Sequence, residues 1–378
     1  MKNDLTFYSD ESFPDWTIEE FDSIQENHIF SKHYRWAKNR VIKKYRNKRA
    51  GKWSVRTTAA AIAACIVFPV SVYASVTHAD FFRNAFGNAG RTSVASHQEL
   101  ADNGKGGKTE ITYPERNYVP VDENMAEKSI GNQISTEPVT VTINDHTLTI
   151  LSAVRDRNAM TVEYTLACST GVKAFDVNDL SNESKGPAVA EDATFTYHVE
   201  NAAEMTYIDQ EKSTDTSFHC YAYYVFFKPM EDGEEPILDI YYADTPLSSL
   251  PDNVKPQEKQ VSIPAANAVS VTEYSSESGG SLELSPISCS IDLGKGLGFS
   301  EEEAYDPWNL KSASIHYTDG TVYEVVNTDA KIDNTSYILG GTGENYTNVT
   351  LNLNRLVDVD KVDYVTVNDV KYTANPKS

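Results

Sequence analysis

Three of the four cysteines (Cys168, Cys220 and Cys289, with Cys65 inside an apolar stretch), eight scattered histidines and the Gly294-Lys295-Gly296-Leu297-Gly298 run are the features of this sequence closest to catalytic or ligand-binding chemistry. None of them forms a recognisable constellation. The cysteines contain no CxxC pair, so neither a zinc knuckle nor a disulfide scaffold is indicated. A Cys168–Cys220 bridge and buried free thiols both remain open, the thiols being the simpler reading because Cys packs as a small hydrophobe. His198 and His219 fall in predicted strands and read as core or surface residues rather than ligands. The glycine run follows a strand as a phosphate loop would. Phe299-Ser300-Glu301-Glu302-Glu303, however, sets three carboxylates against any phosphate, so a mobile loop is expected. Asp358, Asp360 and Asp363 lack the central Gly and terminal Glu of an EF-hand. With no GxSxG, HExxH or Walker motif, the chain is expected to be no enzyme and to need no cofactor or metal.

A different kind of pattern stands near the N-terminus. Phe30, Tyr34, Ala37, Val41 and Tyr45 recur at steps of 4, 3, 4 and 4, one apolar face of a helix that Ser31 would cap. Lys and Arg fill its other faces. Such a face can dock a cytoplasmic protein or lie on anionic lipid headgroups. It can also serve only as a charged flank. The five apolar residues are the predicted partner-binding set.

Charge is segregated along the chain. Residues 1–31 carry one Lys against eight acids; Lys32 to Arg56 contain eleven Lys or Arg and no acid; the remainder of the chain is strongly acidic. The acidic bulk argues against nucleic-acid binding. After the basic cluster, Thr57 to Val76 runs twenty residues without a charge, enough for a helix of about 30 Å and a bilayer's hydrocarbon core. A transmembrane helix over 54–77 is therefore expected, kinked at Pro69. A cleaved signal peptide ending near Ala74 is the alternative, although its leader would be unusually long. Lys43, Lys44, Arg46, Lys48, Arg49, Lys52 and Arg56 would then set the topology, with residues 1–53 as cytoplasmic tail and the C-terminus outside. On that reading Phe81, Phe82 and Phe86 anchor at the outer interface, and residues 78–137, polar and Gly-rich, form a juxtamembrane stalk.

Beyond the stalk the pattern changes to period two. Val139–Ile143 and His146–Ile150 flank Asn144-Asp145, a hairpin signature. Met160–Leu166, Ala193–Val199, Phe218–Phe227 and Ile237–Tyr242 read as further strands, and 247–259 as a linker. A second set covers Gln260–Pro264, Ala268–Tyr274, Ser281–Ile291 and a hairpin from Ala313 to Val326. The Asp319-Gly320 pair in that hairpin suits a type I′ turn. Tyr364–Val367 and Val370–Tyr372 flank a second Asn-Asp pair. Regularly spaced short strands predict a mainly β protein with two tandem immunoglobulin-like β-sandwiches, 138–247 and 259–376.

This layout resembles a family of single-pass proteins of Gram-positive bacteria, often encoded beside extracytoplasmic-function sigma factors. The likeness is carried by His28-Ile29-Phe30-Ser31-Lys32-His33-Tyr34, by Val139–Ile150, and by Asn354–Val365 with Leu284-Ser285-Pro286-Ile287-Ser288. It implies an anti-sigma-factor role: the tail binds a sigma factor while an ectodomain of unknown ligand senses an envelope signal. Zinc-containing anti-sigma tails use a His and paired Cys. Residues 1–53 hold no Cys, so binding here would be metal-free. A membrane-anchored envelope-binding or adhesive protein without a regulatory tail is the competing expectation.

Overall fold

In the computed structural model, residues 78–376 are described, save 90, 103–107, 136, 170–193, 215 and 252–253. The predicted tail helix and the Thr57–Val76 span lie outside the described residues. No helix among the described residues is long and apolar enough to cross a membrane. The expected single-pass membrane location, with an extracellular C-terminus, is corrected on that finding. The aromatics assigned to an outer interface are instead protein core: Phe81, Phe82 and Phe86 are at most 1% exposed on and just after α1 (His78–Ala85).

Two units differ in extent. The smaller contributes one described hairpin, β1 (His97–Asp102) paired with β2 (Lys108–Tyr113). The larger holds the other described elements and is mainly β. It starts with α1 and continues to α2 (Glu123–Ile130), whose N-cap Asp122 accepts hydrogen bonds from the Asn124 and Met125 amides. Within the segment expected as a stalk, Arg91, Ala126, Ile130 and Ile134 are buried, and Ser135 bridges Ala153.

Next come β3 (Val139–Ile143), β4 (His146–Arg155), β5 (Ala159–Cys168), β6 (Phe195–Val199), β7 (Ala202–Ile208), β8 (Ser217–Phe226), β9 (Ile237–Tyr242) and β10 (Gln257–Ser262). They form a five-stranded antiparallel sheet, β3-β4-β5-β8-β7, and a three-stranded one, β10-β9-β6. Between them lies one core, with Leu148, Val162, Leu166, Phe195, Phe218 and Ile240 among its residues. Burying each such side chain contributes about 1.5–3 kcal/mol. Gln257–Ser262 pairs with β9, so the strand expected to open the second set closes the first. The strong strands β5 and β8 are buried on both faces, because α1 and two strands of the following sheet cover the side away from this core.

The following sheet comprises β11 (Thr272–Ser276), β12 (Ser281–Leu284), β13 (Ser288–Asp292), β14 (Ser312–Tyr317), β15 (Val322–Asn327), β16 (Ile332–Asp333), β17 (Thr335–Thr342), β18 (Asn348–Leu353), β19 (Val362–Val367) and β20 (Val370–Ala374). Hydrogen bonding is continuous through all ten, in the order β16-β15-β14-β19-β20-β11-β12-β13-β18-β17. Its two edge strands are separated in sequence by Asn334 alone, so the sheet must curl until its edges approach. Asn334 holds that seam, donating to Glu324 O at 2.8 Å and accepting from Tyr323 Oη at 2.7 Å. Ser281–Ile291, expected as one strand, is broken at Ser285-Pro286-Ile287.

Turn chemistry accounts for the hairpins. Asn368 and Asp369 both have positive φ, 45° and 66°, as a two-residue primed turn requires. At Asp319-Gly320 only Gly320 does, with φ 86°. Tyr317 N bonds Thr321 O at 2.9 Å, which makes this a three-residue loop with a left-handed glycine rather than the expected type I′ turn.

Candidate functional site

Strand pairing assembles the one group of metal-capable side chains found among the described residues, Asp145, His146 and Cys168. The Asn144-Asp145 turn (Asn144 φ 51°) joins β3 to β4 with Ile143 opposite His146. On its other side β4 pairs with β5, placing His146 directly across from Cys168. Cross-strand partners hold their Cβ atoms about 4.5–5.5 Å apart, so the imidazole and thiol become neighbours twenty-two positions apart in sequence. Asp145 reaches both from the turn. Its Oδ2 accepts from Cys168 Sγ at 3.2 Å, and its Oδ1 lies 2.9 Å from His146 Nδ1. One potential ligand atom from each of the three lies within 4.8 Å of the others.

His146 is the unusual member. Its side chain is 5% exposed, while that of Asp145 is 33% exposed and opens the group to solvent. The ring stacks on Phe195 at 4.7 Å and 1°, with Tyr242 tilted beside it at 5.9 Å. Neither ring nitrogen makes an aligned hydrogen bond; the Nδ1–Asp145 approach is close but off direction, and Nε2 has no partner. Leaving a buried polar atom so costs about 1–3 kcal/mol. Burial lowers the His146 pKa, with Asp145 opposing, which favours the neutral ring and its lone pair. The thiol points to the carboxylate rather than presenting an activated sulfur to the imidazole, and it is 2% exposed. That arrangement suits coordination better than nucleophilic attack. No disulfide forms among the three described cysteines. Burial pushes the Cys220 and Cys289 thiols up to about 12, making them packing residues.

Two further polar groups sit on the opposite face of the five-stranded sheet. Glu163 Oε1 accepts from Tyr221 Oη at 3.0 Å and lies 2.7 Å from His219 Nε2. Arg91 is enclosed by the rings of Tyr207 (4.7 Å), Tyr118 and Tyr223 (both 5.4 Å). It donates to the Tyr223 hydroxyl. The first ties β5 to β8 within the sheet, and the second ties the sheet to its cover. A separate polar cleft of about 660 Å³ is lined by Asn132, Gln133, Arg157, Met230 and Asp232 among others.

The residues expected to bind a partner, Phe30, Tyr34, Ala37, Val41 and Tyr45, lie outside the described residues, as do the topology-setting cations. Of the other sequence candidates, His198 lies 3.3 Å from Asp239 and stacks on Tyr241. The glycine run expected to be a mobile loop is pinned. Asp292 accepts from Gly294 N at 3.0 Å and pairs with Lys295 at 3.0 Å, occupying the amide a phosphate would need. A Cβ at Gly296 would come within 2.4 Å of the Gly280 backbone. Asp358 and Asp360 pair with Lys361 and Lys128. The Asp145–His146–Cys168 group escaped sequence reading, which expected no metal ligand. The available signal was that His146 opens one predicted strand and Cys168 stands two residues past the end of the next, Met160–Leu166, so that antiparallel pairing of the two would bring them together.

No protein-family description matches the chain, and no curated protein matches it either. Among solved structures, the crystal structure of the conserved domain protein from Bacillus anthracis aligns with 65% of this chain and 80% of its own, at 11% identity and a TM-score of 0.34, too low to carry an argument about fold or function.

Proposed function

We propose that this chain is a non-enzymatic, anti-sigma-factor-like regulator whose N-terminal segment binds an extracytoplasmic-function sigma factor and whose β region is the responsive part. The observation that carries it is the segment from Phe30 to Arg56: an apolar stripe in a field of eleven cations without one acid, joined to a strongly acidic remainder. A basic helix with such a stripe suits a helix-in-groove mode, in which Phe30, Tyr34, Ala37, Val41 and Tyr45 fill an apolar groove rimmed by acids. Kinship of the two β regions to immunoglobulin-like sandwiches, with the domain limits given above, belongs to the same proposal. Aromatic anchors dominate interfaces of this kind. Replacing Phe30 and Tyr34 together by Ala in the full chain should therefore cut capture of the sigma factor by roughly 30-fold or more, the effect of about 2 kcal/mol. Equal capture by the double variant, or none by the parent chain, would sink the reading.

The polar cleft beside Arg157 favours a second reading, in which the β region alone is a binding module for a small polar ligand. In that case a charge-conserving scramble of 28–53 leaves function intact.

A further inference from the structure

We infer that Asp145, His146 and Cys168 form a binding site for a divalent transition-metal ion of the zinc class. The inference is independent of the regulatory reading, since it concerns a different part of the chain.

Its basis is geometric. An ion with bonds of about 2.0–2.3 Å in tetrahedral arrangement holds its ligand atoms roughly 3.3–3.6 Å apart. Asp145 Oδ1 lies 2.9 Å from His146 Nδ1 and Asp145 Oδ2 lies 3.2 Å from Cys168 Sγ, and one donor atom from each of the three residues lies within 4.8 Å of the others. Small rotations of the Asp145 and Cys168 side chains would bring those three donors to coordination distance of an ion. The imidazole is fixed by the Phe195 stack and by its place across from Cys168 in the β4–β5 register. The ring is buried, its Nε2 has no hydrogen-bond partner and its Nδ1 faces the Asp145 carboxylate at 2.9 Å, so the imidazole presents a lone pair within the group.

The donor set narrows the ion. Thiolate and imidazole together select zinc, cobalt(II) or iron(II) over magnesium and calcium, which take oxygen ligands. One carboxylate completes three protein ligands. A fourth ligand would be water or an atom from outside, with access by way of Asp145, whose side chain is 33% exposed. On binding, the Cys168 Sγ–H bond breaks, its proton leaves to solvent, and the thiolate pair is donated to the metal. No oxidant or reductant is needed.

The test uses the full chain purified under reducing conditions and freed of metal by chelator, then titrated with zinc by calorimetry. Cobalt(II) is titrated in parallel by absorbance. One zinc per chain is expected, with a thiolate-to-cobalt charge-transfer band. Even changes in a metal's outer shell cost about 10- to 100-fold in affinity, so Cys168→Ser should lose at least that and abolish the band. Cys220→Ser, altering a buried packing thiol, should change neither. Should Cys168→Ser fail to fold, Asp145→Asn at the exposed member carries the test and must weaken binding by at least roughly tenfold. Absence of stoichiometric zinc uptake by the parent chain would overturn the site. So would uptake unchanged in Cys168→Ser or, where that variant does not fold, in Asp145→Asn.

Discussion

The paired sheets of residues 139–262 and the curled sheet of 272–374 bury polar atoms in different ways. The former enclose whole charges: Arg155, Asp156, Glu163 and Asp239 are at most 1% exposed. Within the curled sheet most of the buried polar groups are neutral hydroxyls and amides, such as Ser288, Ser290, Thr350 and Asn352. A neutral group is satisfied by one or two local bonds, while a buried ion needs a preformed set of opposing dipoles or charges. Arg155 has such a set. Its guanidinium donates to Ala265 O at 2.5 Å, to Glu231 O and Glu234 O at 2.8 Å, and to Ala266 O at 3.2 Å. Asp156 accepts from the amides of Asn158 and Ala159 and from the hydroxyls of Ser285 and Ser288. Those serines belong to the curled sheet's region, so this buried carboxylate also ties the two regions together. Charges thus fix the geometry of the first region and its junction, and single changes there should be felt most.

The sharpest way to break this contrast is Arg155→Met. It preserves an apolar stem but removes the donor to five carbonyl oxygens, that of Asp156 included, of which only Glu231 O and Ala266 O keep a backbone amide. It should cost about 3–5 kcal/mol, read as a large fall in the unfolding midpoint in urea. A loss below about 1 kcal/mol would show that the buried charge is not organising the region. The matching change in the curled sheet is Thr350→Val. Thr350 Oγ1 bonds Ser290 Oγ at 3.0 Å and Thr342 Oγ1 at 2.8 Å. Both partners keep another bond, from the Asn348 side chain and to the Asn348 carbonyl respectively, so the cost should be about 1 kcal/mol. Parity between the two variants would erase the distinction.

The smallest effect concerns pH. His316 stacks on Tyr364 at 4.2 Å, and burial lowers its pKa, with Lys371 adding to the shift and Asp363 opposing it. The folded chain then binds fewer protons than the unfolded one at this position. Its stability contribution is intact above the unfolded value of about 6.5 and falls as pH drops below that. His316→Gln should flatten the stability profile slightly between about pH 6.5 and 5, seen by thermal unfolding across that range. An unchanged slope would remove His316 from the account.

Local signals made much of the β architecture legible. Alternation marked β3, β4 and β5, and Asn144-Asp145 and Asn368-Asp369 marked their turns, because backbone at positive φ restricts which residues can stand there. The cover segment was misread for an equally physical reason. Phe81, Phe82 and Phe86 followed a charge-free stretch, and an aromatic cluster reads alike whether it meets lipid or a sheet. Strands β1, β2, β7, β16, β17 and β18 were missed; Gly340-Gly341 breaks the side-chain alternation of β17, and Asn352 sits where β18 meets another sheet, bonding Met160 O at 3.3 Å. Charge segregation, the apolar stripe at 30–45 and the hairpin turns are properties of neighbouring residues and can be read before any folding. Which strand closes which sheet, the approach of the two edges at Asn334, and the meeting of Asp145 and His146 with Cys168 depend on pairing register between distant strands. Register is settled by burial of whole faces, a quantity that exists only once the chain is folded.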